Sequence, residues 1–389
     1  VKVILSVEAL STQLSGIGRY AWQLTSGLPT VLPQGSIRYH HQQRWVQEPS
    51  RLLNEPIEQA LAARVKENPL PVRKKPWGLR RISKWLAKPK WVSKPNWRKQ
   101  CRGAVFHGPN FFVPDYADKA VITVHDLSVF KFPETHPKER IAQFNRDFER
   151  SLAKATHIIT DSEATRRELA AFTGLPEQRI TAIALAAGTD YRPRAAEALQ
   201  QCLSSYGLSY QQYVLCVSTL EPRKKIAVLV AAYRLLPVAL RQRVPLVLVG
   251  GKGWLNDALH HEIDKATAEG WLKYLGFVAE ADLPLLYAGA SSFAYPSIYE
   301  GFGLPVLEAM ASGVPVVASN RTSLPEVTQG MALHVEPDDI DALKEALQQS
   351  LEDDVWRNAI IPQALAVAVS YSWDRCIRET VAVYRKIDS

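Results

Sequence analysis

The residues best placed to do chemistry lie in the run Tyr295–Met310, "YPSIYEGFGLPVLEAM". Pro305 suits the first turn of a helix, where its missing N–H is no loss. Gly301 and Gly303, just ahead of it, let the backbone come close to a ligand. Free N–H groups and the positive end of the helix dipole then form an anion site suited to a diphosphate. Glu300 precedes that helix, and Glu308 lies about one turn inside it, roughly 6 Å along the axis. Both carboxylates can therefore reach one ligand that straddles the helix start. Taken singly, Glu300 also reads as a solvated loop acid and Glu308 as a partner of the helix dipole.

A second glycine pair, Gly16 and Gly18 in "LSGIGRYA" (Leu14–Ala21), has the spacing G-x-G-x-x-A. A dinucleotide site needs its first glycine directly after a strand and an acid about 20 residues on for the ribose. Here Glu8–Ser15 separates Gly16 from the strand-like Val3–Val7, and no acid occurs between Arg19 and Gln47. The spacing is therefore not an NAD fingerprint. His125, followed by Asp126, ends one apolar run, and His107 in "FHGPNF" ends another. Asp339-Ile340-Asp341 formally reads D-x-D, but it stands at a helix start, where acids cap and complement the dipole. No metal site is expected.

Open parallel α/β sheets would position these residues, because short apolar strands alternate with helical stretches twice along the chain. In the first half the strands are Val3–Val7, Gly103–His107, Ala120–His125 and His157–Thr160, with helices near 18–27, 138–155 and 162–172. Ser162 opens the last helix, and Gly174 with Pro176 stops it. Turn residues at Ala187–Arg194 mark a linker, and the rhythm restarts at Tyr213–Ser218, Pro245–Gly250, Leu272–Gly276, Ser292–Tyr295 and Pro315–Ala318. A connecting helix near 339–351 and a final helix at about 373–387 follow. The fold class is α/β, with two Rossmann-like domains facing a central cleft. Their expected limits are 1–190 on the acceptor side and 191–372 on the nucleotide side, with a terminal helix at 373–389. Ligands belong at the strand carboxyl ends.

A chain of 389 residues suits two such domains. Its 47% hydrophobic and 22% charged content is that of a globular protein. No apolar run approaches the roughly 20 residues of a membrane span. The first residues lack a signal-peptide pattern, and four scattered cysteines form no C-x-x-C pair. A reduced, cytoplasmic protein is expected. The net charge of +8 is local: Arg73–Arg102 holds twelve Lys or Arg and no acid, which leaves the remainder net acidic. Trp77, Trp85, Trp91 and Trp97 lie among these cations. That mixture favours an anionic membrane surface, although a solvated basic loop with docked tryptophans and nucleic-acid binding also remain open.

The run E-G-F-G-L-P-x-L-E-A-M-A-x-G-x-P-V, with Glu300-x7-Glu308 inside it, resembles the retaining nucleotide-sugar glycosyltransferases of family 4, which have the GT-B fold. "STLEPRKK" (Ser218–Lys225) is similar to their donor-phosphate segment, which usually ends R-K-N or R-K-G. "LVGGKGW" (Leu248–Trp254) and "YLGFVAEADLPLLYAGA" (Tyr274–Ala290) match in order. "SGIGRY" and "VHDLSVFKFPETHP" (Val124–Pro137) resemble the mannosyltransferase branch that builds bacterial surface polysaccharides.

The resemblance implies roles. Arg223 and Lys224 would hold the donor diphosphate without a metal or other cofactor, helped by the backbone at Phe302, Gly303 and Leu304. Glu308 would bind the ribose, and Glu300 the transferred sugar. Gly16 and Gly18 would face the donor from across the cleft, and His125 would contact the sugar. His107 and Asp126 are candidates on the acceptor side. The implied reaction moves mannose from GDP-mannose to a lipid-linked glycan, with retention, at the inner face of the cytoplasmic membrane. Two readings stand beside it: a non-transferring GT-B enzyme, such as an epimerase or phosphorylase, and a nucleotide-sugar-binding protein whose transferase site has decayed.

Overall fold

A computed structural model describes residues 1–11, 16–53, 96–253 and 256–389. The sequence Arg73–Pro95, with three of the four tryptophans of the basic stretch, lies outside the described residues, as does Trp254.

The first sheet has seven strands in the order β3-β2-β1-β4-β5-β6-β7. They are β1 (Val3–Ser6), β2 (Ile37–His41), β3 (Arg44–Val46), β4 (Val105–Gly108), β5 (Lys119–Val124), β6 (His157–Thr160) and β7 (Ile180–Ala182). All pairs are parallel except the β2–β3 hairpin. The second sheet is wholly parallel, in the order β10-β9-β8-β11-β12-β13. Its strands are β8 (Val214–Val217), β9 (Leu246–Val249), β10 (Leu272–Gly276), β11 (Ser292–Tyr295), β12 (Val316–Ser319) and β13 (Leu333–Val335).

Strand order reverses between β1 and β4 in one sheet and between β8 and β11 in the other. In such sheets the crevice lies at the carboxyl ends flanking the reversal. The segments leaving β8 and β11 are those carrying Arg223 with Lys224 and Glu300.

Helix Gly16–Val31 follows β1 and buries Tyr20, Leu24 and Leu28. It extends past Gly27 and carries Pro29 near its end, where only one backbone bond is forfeited. Gly27 marks a close approach: a Cβ there would sit 1.9 Å from Ile377 Cδ1, so that side chain would have to shift. Ile377 belongs to helix Trp373–Asp388, which returns to the first sheet and buries Cys376, Val381 and Tyr384. A helix not foreseen in the sequence, Asp354–Ser370, precedes it and packs against Leu304–Ala311. One apolar cluster runs from β1 and helix Gly16–Val31 through this C-terminal segment into the second domain.

Candidate active site

Segment Ser218–Lys225 leaves β8 with no room on one side. A Cβ on Gly250 would lie 2.1 Å from the Ser218 carbonyl oxygen, and one on Gly253 1.8 Å from that of Leu220. Glycine there lets the segment lie flat over the end of β9. A 3₁₀ turn, Pro222–Lys224, follows, and Lys225 closes it at φ 54°. That left-handed conformation, which costs a side-chain-bearing residue roughly 1–2 kcal/mol, explains why Asn or Gly is usual at this point. Lys225 Nζ pairs with Asp338 at 2.6 Å.

The turn aims two cations at one carboxylate. Lys224 Nζ donates to Glu300 Oε1 at 2.5 Å and to the Tyr295 hydroxyl at 3.0 Å. Arg223, 8% exposed, donates to Glu221 Oε1 at 2.6 Å and to the Tyr299 carbonyl. Its Nη1 also lies 3.8 Å from Glu300 Oε2. Burial pushes the Glu300 carboxyl upward, but Lys224 and Arg223 outweigh it and hold the group below the usual range. The resulting stability is present above the ordinary Glu pKa and is lost as pH falls through the lowered one.

The loop bearing Glu300 is held from below. Thr322 Oγ1 accepts from Glu300 N at 3.0 Å, and Ser323 Oγ donates to the carbonyls of Glu300 and Phe302 at 2.9 and 2.8 Å. Gly303 turns at φ 104° into helix Leu304–Ala311. The Phe302 ring is buried against Tyr371, so only its backbone is available at the helix start.

Glu308 is 3% exposed, beside the hydroxyls of Tyr287 and Tyr191. Arg19 reaches it from the first domain, Nη1 to Oε1 at 2.9 Å, while Arg19 Nε meets Glu280 at 2.8 Å. Gly16 and Gly18 begin the helix that carries Arg19. Burial lifts the Glu308 carboxyl to about 7, with Arg19 opposing the rise. A raised carboxyl favours the fold at low pH, and that contribution fades as pH climbs from the ordinary value of 4.5 through about 7.

On the other wall His125 follows β5. Its Nδ1 lies 2.7 Å from Asp161 Oδ2 and its Nε2 2.8 Å from the Pro109 carbonyl. Both partners offer acceptor oxygens, which suits the charged ring with both nitrogens donating. Burial works against that charge, but Asp161 and the Pro109 bond raise the pKa on balance. A direct sugar contact requires Nε2 to exchange the Pro109 carbonyl for a hydroxyl. Asp126 accepts from Ser128 N and Oγ at 2.8 and 2.7 Å. Burial opposes its ionisation, but Arg223 across the cleft and the Ser128 bonds hold its pKa low.

The acceptor-side assignment of His107 needs correction. The ring is 0% exposed, with Nδ1 2.6 Å from the Tyr384 hydroxyl and Nε2 2.8 Å from Thr123 Oγ1. Burial pushes its pKa down to about 3. It is a neutral core group that ties the C-terminal helix to the first sheet. Gly301 also differs from its expected role. A Cβ there would lie 1.7 Å from the His125 carbonyl oxygen, so the glycine admits the opposite domain.

Further bonds close the cleft. Ser162 Oγ and Thr165 Oγ1 donate to the Gly301 carbonyl at 2.6 and 3.1 Å. The Glu326 carboxylate accepts from the N–H groups of Glu163 and Ala164 at 2.9 and 3.0 Å, capping a helix of the other domain. The structure thus brings Arg223, Lys224, Glu300, His125 and Asp126 to one part of the cleft, and Gly16, Gly18 and Glu308 to another. Sequence reasoning passed over Arg19, Asp161 and Tyr295, although Arg19 stands inside the quoted glycine motif. Asp339 caps helix Ile340–Glu352 through Ala342 N at 2.9 Å. Among the described residues no group of three or more His, Cys, Asp or Glu is arranged to hold a metal.

Two doubly wound domains closed on a cleft with paired cations, flanking carboxylates and a helix N-terminus define the GT-B class of sugar-transferring enzymes. A structure of HepE from Anabaena in complex with UDP-glucose has this fold, with a TM-score of 0.67 at 18% identity over 98% of this chain and 99% of that one. The chain belongs to the group 1 glycosyltransferases. Residues 207–366 match the family "Glycosyl transferases group 1". The chain is 38% identical over 397 residues to O-antigen chain mannosyltransferase B of Escherichia coli, covering 99% of each. It is 32% identical to a GDP-mannose-dependent alpha-(1-6)-phosphatidylinositol monomannoside mannosyltransferase of Mycobacterium tuberculosis, over 58% of this chain and 60% of that one.

Proposed function

We propose that this glycosyltransferase moves mannose from GDP-mannose to a lipid-linked glycan of a bacterial surface polysaccharide, with retention of configuration. The observation that carries the reading is the Arg223–Lys224–Glu300 cluster beside the start of helix Leu304–Ala311. The full-length similarity to an O-antigen chain mannosyltransferase supports mannose as the sugar.

Arg223 and Lys224, with the backbone N–H groups at Phe302–Leu304, hold the diphosphate and stabilise the charge that builds on it as the sugar leaves. Glu300 accepts bonds from the sugar's hydroxyls. Glu308 takes the ribose, with Gly16 and Gly18 facing the donor from the first domain. His125 and Asp126 flank the sugar and its acceptor. The acceptor oxygen attacks the anomeric carbon on the face the phosphate leaves, and its proton passes to the departing phosphate oxygen. No metal is required where two cations and a helix terminus meet the diphosphate. The Arg73–Arg102 stretch, most of it outside the described residues, would hold the enzyme at an anionic membrane face.

Labelled GDP-mannose, UDP-glucose and UDP-galactose offered with a lipid-linked mannose oligosaccharide test the assignment. Only GDP-mannose is expected to give product, and NMR should show an α-linkage. Transfer solely from a UDP-sugar, inversion, or a glycosyl adduct trapped on Glu300 would each contradict it.

Glu308 adds a pH signature. A protonated carboxyl turns one of its oxygens into a donor and so loses the paired acceptance, one oxygen to each ribose hydroxyl, that the carboxylate offers. The kcat/KM for donor should therefore fall on the acid side with an apparent pKa near 7. In Glu308→Gln the limb should disappear while the rate stays low throughout. A limb unchanged by this substitution would assign it to another group.

A further inference from the structure

Helix Gly16–Val31 has a single charged residue, Arg19, and it stands in the first turn. A cation there opposes the helix dipole, whose positive end is the N-terminus. The helix's own needs therefore do not account for the guanidinium, and its partners lie in the other domain. Nη1 donates to Glu308 Oε1 at 2.9 Å, and Nε lies 2.8 Å from Glu280 Oε1. The Glu280 side chain is 58% exposed, so that contact is screened and weak. The Glu308 side chain is 4% exposed, and there the pairing is felt.

Three parts of the chain meet at Glu308. It belongs to helix Leu304–Ala311 of the second domain, and Tyr287 stands beside it from helix Leu283–Gly289. Tyr191, in the segment that joins the domains, brings a second hydroxyl, and its ring packs edge-on against Tyr287 at 5.3 Å. Arg19 arrives from the first domain. Burial raises both phenols far above their ordinary pKa, so they stay protonated, and Glu280 adds like charge. Arg19 is thus the cation that opposes the burial of the carboxylate. A carboxylate has about four acceptor positions on its two oxygens. Arg19 takes one on Oε1 and so fixes the direction in which the others face.

We propose that Arg19 is a positioning residue for the donor nucleotide, holding Glu308 from the opposite domain so that its remaining acceptor positions meet the ribose hydroxyls. The proposal rests on the glycosyltransferase reading of the cleft. It needs no contact between Arg19 and the donor. The ribose site is then complete only while this one ion pair spans the two domains. A second consequence is electrostatic. With the guanidinium removed, the Glu308 carboxyl titrates above its present value of about 7, and less carboxylate remains at neutral pH.

Two donors test the role: GDP-mannose and an analogue lacking both ribose hydroxyls, each with the lipid-linked mannose oligosaccharide as acceptor. Arg19→Met should raise KM for GDP-mannose about tenfold at pH 7, with acceptor KM within about twofold of wild type. For the analogue, whose ribose offers Glu308 nothing, the same substitution should change KM by less than about twofold. The acid limb of kcat/KM for GDP-mannose should move up by about one pH unit in Arg19→Met. Arg19→Lys, which keeps a cation of shorter reach, should show a smaller rise in KM, again confined to GDP-mannose, with the limb near its wild-type place. An equal rise for both donors overturns the proposal, since Arg19 would then serve the fold or the diphosphate. So does a limb that Arg19→Met leaves in place, or one that Arg19→Lys moves as far. Should the wild-type enzyme transfer from no nucleotide sugar at all, the transferase reading falls and takes this role for Arg19 with it.

Discussion

Gly301→Ala is expected to lower kcat/KM about 100-fold while leaving each domain folded. The added Cβ would lie 1.7 Å from the His125 carbonyl oxygen and 2.7 Å from its carbon, both main-chain atoms that no rotamer change can move. Ordinary contact therefore requires the domains to part by on the order of 1 Å, a misplacement of the size that can cost 100-fold. The parting also strains the bonds from Ser162 and Thr165 to the Gly301 carbonyl and those from the Glu326 carboxylate to the facing helix. Neither domain core includes the new methyl, so the thermal transition should move little. Gly251→Ala is the control, because a Cβ there meets nothing within 4 Å. Steady-state kinetics and small-angle scattering read the two effects together. Wild-type kcat/KM in Gly301→Ala would mean that the reacting enzyme is not closed in this way.

The strands legible in the sequence are mostly apolar. β6, β10 and β11 occupy the stretches the apolar runs mark, and β1, β5, β8 and β9 differ from theirs by a residue or two at their ends. Three of the four edge strands, β3, β7 and β13, were not legible: they have three residues each, because an edge needs less apolar surface, and β2, next to the edge, reads Ile-Arg-Tyr-His-His. Helix Glu163–Thr173 was legible from its ends: Ser162 accepts from Thr165 N, and Gly174 adopts the left-handed conformation. At the site, the glycines, the Pro305 helix start and the cations were visible because each answers to local backbone or charge rules. What crosses domains was not. Arg19 meets Glu308 across 289 positions of sequence, and His107 finds Tyr384 across 277, distances at which no local pattern carries information. His107 was misread for that reason: a strand-end histidine looks the same whether its partner is a substrate or the last helix of the chain.

Lys224→Met should lower kcat by about 100- to 1,000-fold, the usual effect of removing one preorganised donor from a developing charge. The ammonium is where the loss is greatest, because its site is largely shielded from water, with side-chain exposure of 11% for both Lys224 and Glu300. A complication follows from the same burial. Without Lys224, the Glu300 carboxylate keeps Arg223, at 3.8 Å, and the Ser297 hydroxyl, and a buried charge stripped of its closest partner destabilises a fold by about 3–5 kcal/mol. Inactivity of the single variant could therefore reflect unfolding. The double variant Lys224→Met/Glu300→Gln separates the two causes, since it removes both charges and leaves no carboxylate unpaired. It should melt closer to wild type than the single variant does, yet remain at least as inactive. Recovered turnover in the double variant would show that Lys224 acts only by balancing Glu300, and the diphosphate would then depend on Arg223 and the helix N-terminus alone.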